Sequence, residues 1–170
     1  MTRRIALIST GGTIEKTYDE LSGVLANKFS VLDVMLASLE LRGIEIVRTR
    51  LMNKDSLEMS ADDHTLIAET AARMAREHAG VVVVHGTDRL AISGERIVEV
   101  EPVPASPIVL TGAMRPYELR STDALQNLTE ALLAVQLLPP GVYVAMHNQV
   151  LQFPGVVKDA DRRTFVKARG

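Results

Sequence analysis

The sequence predicts a three-layer α/β fold built on a mainly parallel sheet. Short apolar runs recur at residues 5–9, 44–51, 81–85, 108–111 and 142–146. Segments of helical period separate them, giving the order β-α-β-α-β-α-β-α-β. The run at residues 81–84 is an unbroken "VVVV", as expected of a strand covered on both faces.

The elements follow in order. Residues 5–9 form the first strand, and residues 30–40 the first helix candidate. After the strand at 44–51 comes the best-marked helix, 60–78. Ser60 and Asp63 read as its capping box, and Leu66, Ile67, Thr70, Ala71 and Met74 make one face. The valine strand leads into a weaker helix at 92–100, which contains Gly94. The strand at 108–111 is followed by a helix at 122–138. Leu125, Leu128, Leu132 and Val135 form its stripe, and Pro139-Pro140-Gly141 ends it. The last strand, 142–146, precedes a stretch read as a charged tail after Lys158. With no repeat or internal linker, residues 1–170 are expected to form one domain.

Composition narrows the function. The chain is 46% hydrophobic and 24% charged, with a net charge of −2 and basic residues spread along it. That balance offers no nucleic-acid or acidic-membrane surface. There is no cysteine, so disulfides, thiol catalysis and cysteine metal sites are excluded. The start "MTRRIALIS" has too short an apolar run for a signal peptide, and no window approaches the roughly 20 apolar residues of a membrane span. A cytoplasmic setting is expected.

Ligands of open parallel sheets bind beyond the carboxyl ends of the strands. There the sequence places "STGGT", "MNKDS", "HGTD" and "TGAMRP". Gly11-Gly12 lacks the spacing of a dinucleotide fingerprint or a P-loop, which weighs against a phosphate cradle. The hydroxyl reading is sharper. A threonine alcohol attacks only with a base in hydrogen-bond reach, and glycine-rich backbone offers unobstructed oxyanion donors. Thr13 stands in such a turn, Tyr18 is placed to relay its proton, and Thr87-Asp88 ends the valine strand. A plainer reading stands beside it: Thr10 and Thr13 bond only the turn backbone, and Thr87-Asp88 caps the next helix. His64, His78, His85 and His147 show no metal-ligand spacing and read as structural. Met35, Met52, Met59, Met74, Met114 and Met146 read as core filler.

The motifs "STGGTIE", "KDSLEM", "VVVVHGTD", "PIVLTGAMRP" and "HNQVLQFPGVVKDADRRTF" occur in this order over residues 3–165. Together they resemble the bacterial-type L-asparaginase and glutaminase-asparaginase family. The resemblance implies a doubly wound, Rossmann- or flavodoxin-like domain that hydrolyses the side-chain amide of L-asparagine, or of glutamine, without metal or cofactor. By position, Thr13 resembles the family's nucleophile and Tyr18 its mobile-loop tyrosine. Thr87, Asp88 and Lys158 match the second catalytic group. Ser56 matches the serine that binds the substrate α-carboxylate, and Asp88 the carboxylate that holds its α-ammonium. Ala113 resembles the residue whose carbonyl lies near the scissile amide. The oxyanion is expected against N–H groups near Gly12 and Thr87. Whether Thr13 or Thr87 forms the ester stays open in the sequence; Thr13 is the expected choice.

Three departures stand out. Arg89 replaces a threonine usual in the family, and the expected outcomes are a clash, an excursion to solvent or a reshaped ammonium pocket. Leu57 replaces a polar neighbour of the binding serine. Relatives usually run to about twice this length, so the second family domain is expected to be absent, and the protein to be a homo-oligomer. Two alternatives remain: a non-catalytic amino-acid-binding module, and a hydrolase of glutamine or another small amide.

Overall fold

The computed structural model describes residues 1–169. In chain order its elements are β1 (Arg3–Gly11), β2 (Thr17–Asp19), β3 (Val24–Ala26), α1 (Leu32–Ala37), β4 (Ile44–Lys54), α2 (Ala61–Glu77), β5 (Gly80–Val84) and α3 (Leu90–Val100). There follow β6 (Ile108–Thr111), α4 (Ala124–Leu137), β7 (Val142–Met146), β8 (Gln149–Gln152), β9 (Val156–Asp159) and β10 (Thr164–Lys167). Short 3-10 turns, Thr13–Glu15 and Ser56–Glu58, follow β1 and β4.

The main sheet has the order β4-β1-β5-β6-β7-β8. The five expected strands pair in parallel, and β8 closes one edge antiparallel to β7. Alternate side chains of each strand enter different cores. Val81 and Val83 pack with Ile67, Ala71, Leu90 and Ile97 of α2 and α3. Val82 and Val84 pack with Leu32, Met35, Leu128 and Leu132 of α1 and α4. The unbroken valine run is thus buried on both faces, and the fold is three-layered and doubly wound as expected.

From β1 the chain steps outward to β4, then crosses to β5 on the other side of β1. This reversal opens a crevice beyond the ends of β1 and β5, the switch point at which such sheets bind ligands.

Several elements differ from the sequence reading. The first helix is only Leu32–Ala37, while the helix containing Gly94 begins at Leu90. Gly94 is there for packing: a Cβ on it would lie 2.2 Å from the Phe153 ring. The capping box of α2 is present, with Ser60 Oγ accepting the Asp63 N–H and Asp63 accepting the Ser60 N–H. Leu66, however, is 45% exposed, because the buried face of α2 runs through Ile67, Ala68, Ala71 and Ala75. Met35, Met59 and Met146 are core residues, and Met52, Met74 and Met114 pack against it in part.

The charged stretch after Lys158 is not a tail. It turns back as β10, pairs with β9, and buries Phe165 beside Phe153 and Val156. The strand has only four residues and follows the charged turn Asp161-Arg162-Arg163, which masks it in the sequence. Between β7 and β8, His147 and Asn148 both have positive φ, 53° and 61°. They make the two-residue turn that suits a tight hairpin.

Candidate active site

Four strand ends meet within contact distance at the crevice. A Cβ on Gly12 would lie 2.4 Å from the Gly86 nitrogen, and one on Gly86 would lie 2.7 Å from Ser56 Oγ. A Cβ on Gly112 would lie 2.3 Å from the His85 carbonyl oxygen. The loops after β1, β4, β5 and β6 are therefore packed backbone to backbone. Thr13 and Thr87 each stand one residue beyond the touching glycines.

Lys158 enters from β9. Its Nζ donates to Thr87 Oγ1 at 2.9 Å and to Asp88 Oδ1 at 2.5 Å. The hairpin with β10 fixes its position, since Lys158 pairs with the buried Phe165. Thr87 is 5% exposed, and its hydroxyl donates to the Met114 sulfur at 3.7 Å. The Asp88 side chain is half exposed and uses only Oδ1 in these contacts. Asp88 does not cap α3; the N-cap position is Arg89, without a side-chain cap bond.

The two threonines of the first turn part company. Thr10 is fully buried and donates to the Val84 carbonyl at 2.7 Å, tying β1 to β5. Among the described residues the half-buried Thr13 hydroxyl has no hydrogen-bond partner. The oxyanion donors differ in one respect from expectation. The Gly12 N–H is already given to the Lys54 carbonyl at 2.9 Å. The backbone N–H groups of Thr13 and Thr87 donate to no protein acceptor among the described residues. The free pair is thus Thr13 and Thr87.

Ser56 is 1% exposed, and its Oγ accepts the Arg89 N–H at 3.3 Å. Arg89 neither clashes nor extends into solvent: its guanidinium donates to the Met59 carbonyl at 2.8 Å and clasps the turn that carries Ser56. Leu57 is 57% exposed. Lys16 bonds Asp55 at 2.7 Å, joining the turn after β1 to the turn after β4.

Ala113 is buried in the loop after β6, which is anchored by residues the sequence reading missed. Asp123 accepts the N–H groups of Met114 and Arg115 at 3.0 and 2.9 Å, and pairs with His147 at 2.7 Å. Burial pushes the Asp123 carboxyl up, but the Met114 N–H, the His147 ring and the Arg115 N–H together hold it below its ordinary value. Asn127 donates to the Gly112 carbonyl at 2.9 Å. The signal was available: an Asp and an Asn four apart at the start of α4, shortly after "TGAMRP".

Tyr18 lies on the β2–β3 hairpin, 57% exposed. Its backbone N–H donates to Glu118, and Asn27 beyond β3 donates to the Gly12 carbonyl at 2.8 Å. No hydrogen bond joins the Tyr18 hydroxyl to Thr13 or Lys158 among the described residues. No group of three His, Asp or Glu side chains converges as metal ligands among the described residues. No described helix is long and apolar enough to cross a membrane.

Beneath the site His85 is fully buried, and burial first, then the neighbouring His64, push its pKa down to about 4 against the bond to Gly86. His64 is lowered as well, mainly by burial. Because the unfolded imidazole takes a proton first, stability is complete above the unfolded pKa of about 6.5 and falls as pH drops towards 4. The loss attributable to His85 is about 3 kcal/mol at full development. Urea unfolding at pH 7.5, 6.0 and 4.5 checks this; a flat free energy across that range contradicts it.

Fold and site together define a doubly wound α/β protein whose switch-point crevice holds two threonines, a lysine bridging one of them to an aspartate, and two free backbone donors. The family model described as asparaginase, N-terminal, matches residues 4–165. The L-asparaginase of Thermococcus kodakarensis is 31% identical over 150 residues, which cover 87% of this chain and 45% of that protein. A glutamyl-tRNA(Gln) amidotransferase subunit of Haloquadratum walsbyi is 34% identical over 145 residues, covering 84% and 33%. Among solved structures, the thermostable T. kodakarensis L-asparaginase superposes with TM-score 0.83 at 28% identity, over 96% of this chain and 51% of that one. A probable cytoplasmic L-asparaginase from Campylobacter jejuni gives 0.81 at 29%, over 98% and 53%. The chain belongs to the asparaginase family. It spans about half the length of these structures, and a third to a half of the two relatives matched by sequence.

Proposed function

We propose that the protein is an amidohydrolase that converts L-asparagine to L-aspartate and ammonia through an acyl-enzyme on Thr13. The observation that carries this reading is the placement of Lys158 Nζ on both Thr87 Oγ1 and Asp88 Oδ1 in a crevice where the Thr13 hydroxyl and the Thr13 and Thr87 N–H groups are free. The Thr13 oxygen attacks the amide carbon, and its proton passes to a base; the carbonyl oxygen becomes an oxyanion between the two N–H groups. Ammonia leaves with that proton. Lys158, with Thr87 as bridge, then takes a proton from a water that attacks the ester, and returns it to the departing Thr13 oxygen as aspartate is released. Ser56 receives the substrate α-carboxylate, Asp88 Oδ2 its α-ammonium, and the Ala113 loop borders the scissile amide. Tyr18 acts in this scheme only if the hairpin carrying it moves inward. No metal or cofactor takes part.

The test is ammonia release from L-asparagine by the protein, with Thr13→Ala as the blank. Release no greater than the blank overturns the reading, and aspartate binding without turnover would then favour an amino-acid-binding module. A second reading, glutamine as the amide, is supported by the amidotransferase relative, and comparing kcat/KM on the two amides separates them. Leu57 is expected to weaken the hold on the substrate amino group.

A cytoplasmic homo-oligomer belongs to the same proposal. Leu133, Leu137 and Val150 are 58%, 74% and 44% exposed around one apolar cleft on α4 and β8, which suits a contact between copies.

A further inference from the structure

Three buried side chains from separate elements form a hydrogen-bonded chain that ends on the floor of the crevice. They are His64 of α2, Ser93 of α3 and His85 at the end of β5, and their exposures are 5%, 0% and 0%. His64 Nδ1 lies 2.7 Å from Ser93 Oγ, His85 Nε2 lies 2.8 Å from the same oxygen, and His85 Nδ1 lies 2.7 Å from the Gly86 carbonyl oxygen. The two rings stack, with centroids 6.0 Å apart.

The proton positions follow from the partners. A carbonyl oxygen only accepts, so His85 Nδ1 carries a hydrogen and donates to Gly86. In a neutral ring His85 Nε2 is then bare and accepts, so the single hydroxyl hydrogen of Ser93 is given to it. Ser93 has no second hydrogen to give, so His64 Nδ1 must donate to its oxygen. This leaves His64 Nε2 bare, in agreement with its being buried without a partner. Every bond in the chain therefore points toward Gly86.

The Gly86 carbonyl and the Thr87 N–H are the two ends of one planar peptide unit. We propose that the His64–Ser93–His85 chain is a positioning device, which locks His85 in its Nδ1–H tautomer and thereby fixes and polarises the Gly86–Thr87 peptide as an oxyanion donor. A hydrogen bond to the carbonyl strengthens the N–H of the same unit, and a fixed partner sets the imidazole tautomer. Low pKa values for both rings accord with neutral histidines at pH 7. The kinetic consequence rests on the hydrolytic reading above; the tautomer and the peptide orientation do not.

The test separates the two. In wild-type protein labelled with 15N-histidine and free of substrate, NMR at pH 7.5 is expected to show His64 and His85 neutral, each protonated at Nδ1. A proton on His85 Nε2, or a charged ring, overturns the proposal. Ser93→Ala is expected to mix the His85 tautomers and to move the Thr87 amide resonance while leaving those of residues 81–84 in place. Ser93→Thr, which keeps the hydroxyl, is expected to restore both. A Thr87 resonance unmoved in a folded Ser93→Ala protein overturns the proposal. On L-asparagine, Ser93→Ala should lower kcat about tenfold, less than the loss of a whole oxyanion donor, with KM within about twofold. An unchanged kcat overturns the proposal. A wild-type protein inactive on every amide would sink the hydrolytic reading alone, since both NMR readouts still decide this one.

Discussion

Replacing Lys158 by methionine lowers kcat for amide hydrolysis about a thousandfold, within the range general acid–base groups contribute. The expectation comes from the two bonds of Nζ, to Thr87 Oγ1 and to Asp88 Oδ1, which leave the amine no other task among the described residues. Methionine keeps an unbranched stem as far as Cε and lacks only the amine, and at 23% exposure the position tolerates an apolar stem, so the fold should hold. Lys158→Arg is the sharper variant. It keeps the charge and the donors, but a guanidinium does not give up a proton in a protein. If Lys158 is a base, arginine fails as badly as methionine; if it only supplies a positive field, arginine restores most of the rate. Steady-state kcat of both variants, with circular dichroism to confirm folding, decides between them. Thr87→Val should cost nearly as much as Lys158→Met, and the double variant little more than either, because residues that act as a unit do not add.

How much of this was legible in the sequence depended on where each signal lies. The five parallel strands and four helices could be read because buried strands and amphipathic helices carry their period in neighbouring residues. "VVVV" and the Ser60–Asp63 capping box are such local signals. The hairpins were not legible. β2 and β3 have three residues each, and β10 hides in a charged stretch whose one fully buried anchor is Phe165. That omission mattered, because pairing with β10 is what fixes Lys158 in place. Gly94 misled in the opposite way: it weakened a helix whose glycine makes room for Phe153, 59 residues away in the chain.

Thr13, Ser56, Thr87, Asp88 and Lys158 stand in motifs visible in the sequence, but the bonds each one makes were not legible there. Thr10 and Thr13 are equivalent on paper, yet one is tied to Val84 and the other is free. The N–H of Gly12 is lost as a donor because the β1–β4 register shifts between Ser9 and Gly11, which brings the Lys54 carbonyl opposite it. Arg89 stood out in the sequence as a bulky cation beside Asp88, and the bond that holds it, to the Met59 carbonyl, comes from a segment 30 residues away. Each of these facts is a pairing between distant segments, and no local pattern contains it.

The glycine at the centre of that crevice supplies the largest expected effect on stability. Gly12→Ala should destabilise the fold by about 4 kcal/mol, from two independent sources. Gly12 has φ 82° and ψ −179°, a region open essentially to glycine alone, where a side chain costs about 1–3 kcal/mol. The added Cβ would also sit 2.4 Å from the Gly86 nitrogen and 2.5 Å from its Cα, and overpacking costs about 1–3 kcal/mol more. Both neighbours are backbone, so no side chain can swing aside. Relief requires β1 and β5 to part at their ends, which separates Thr13 from Thr87. Urea denaturation should therefore show a lowered midpoint at an unchanged m-value. Whatever folded protein remains should lose kcat out of proportion to KM, because the two oxyanion donors no longer face one point. Gly23→Ala serves as the control: φ there is also positive, at 71°, but nothing lies within 4 Å of the new Cβ. It should therefore cost only about the 1–2 kcal/mol of the backbone term and leave the rate intact. Equal losses at the two glycines would mean that the contact between Gly12 and Gly86 contributes nothing.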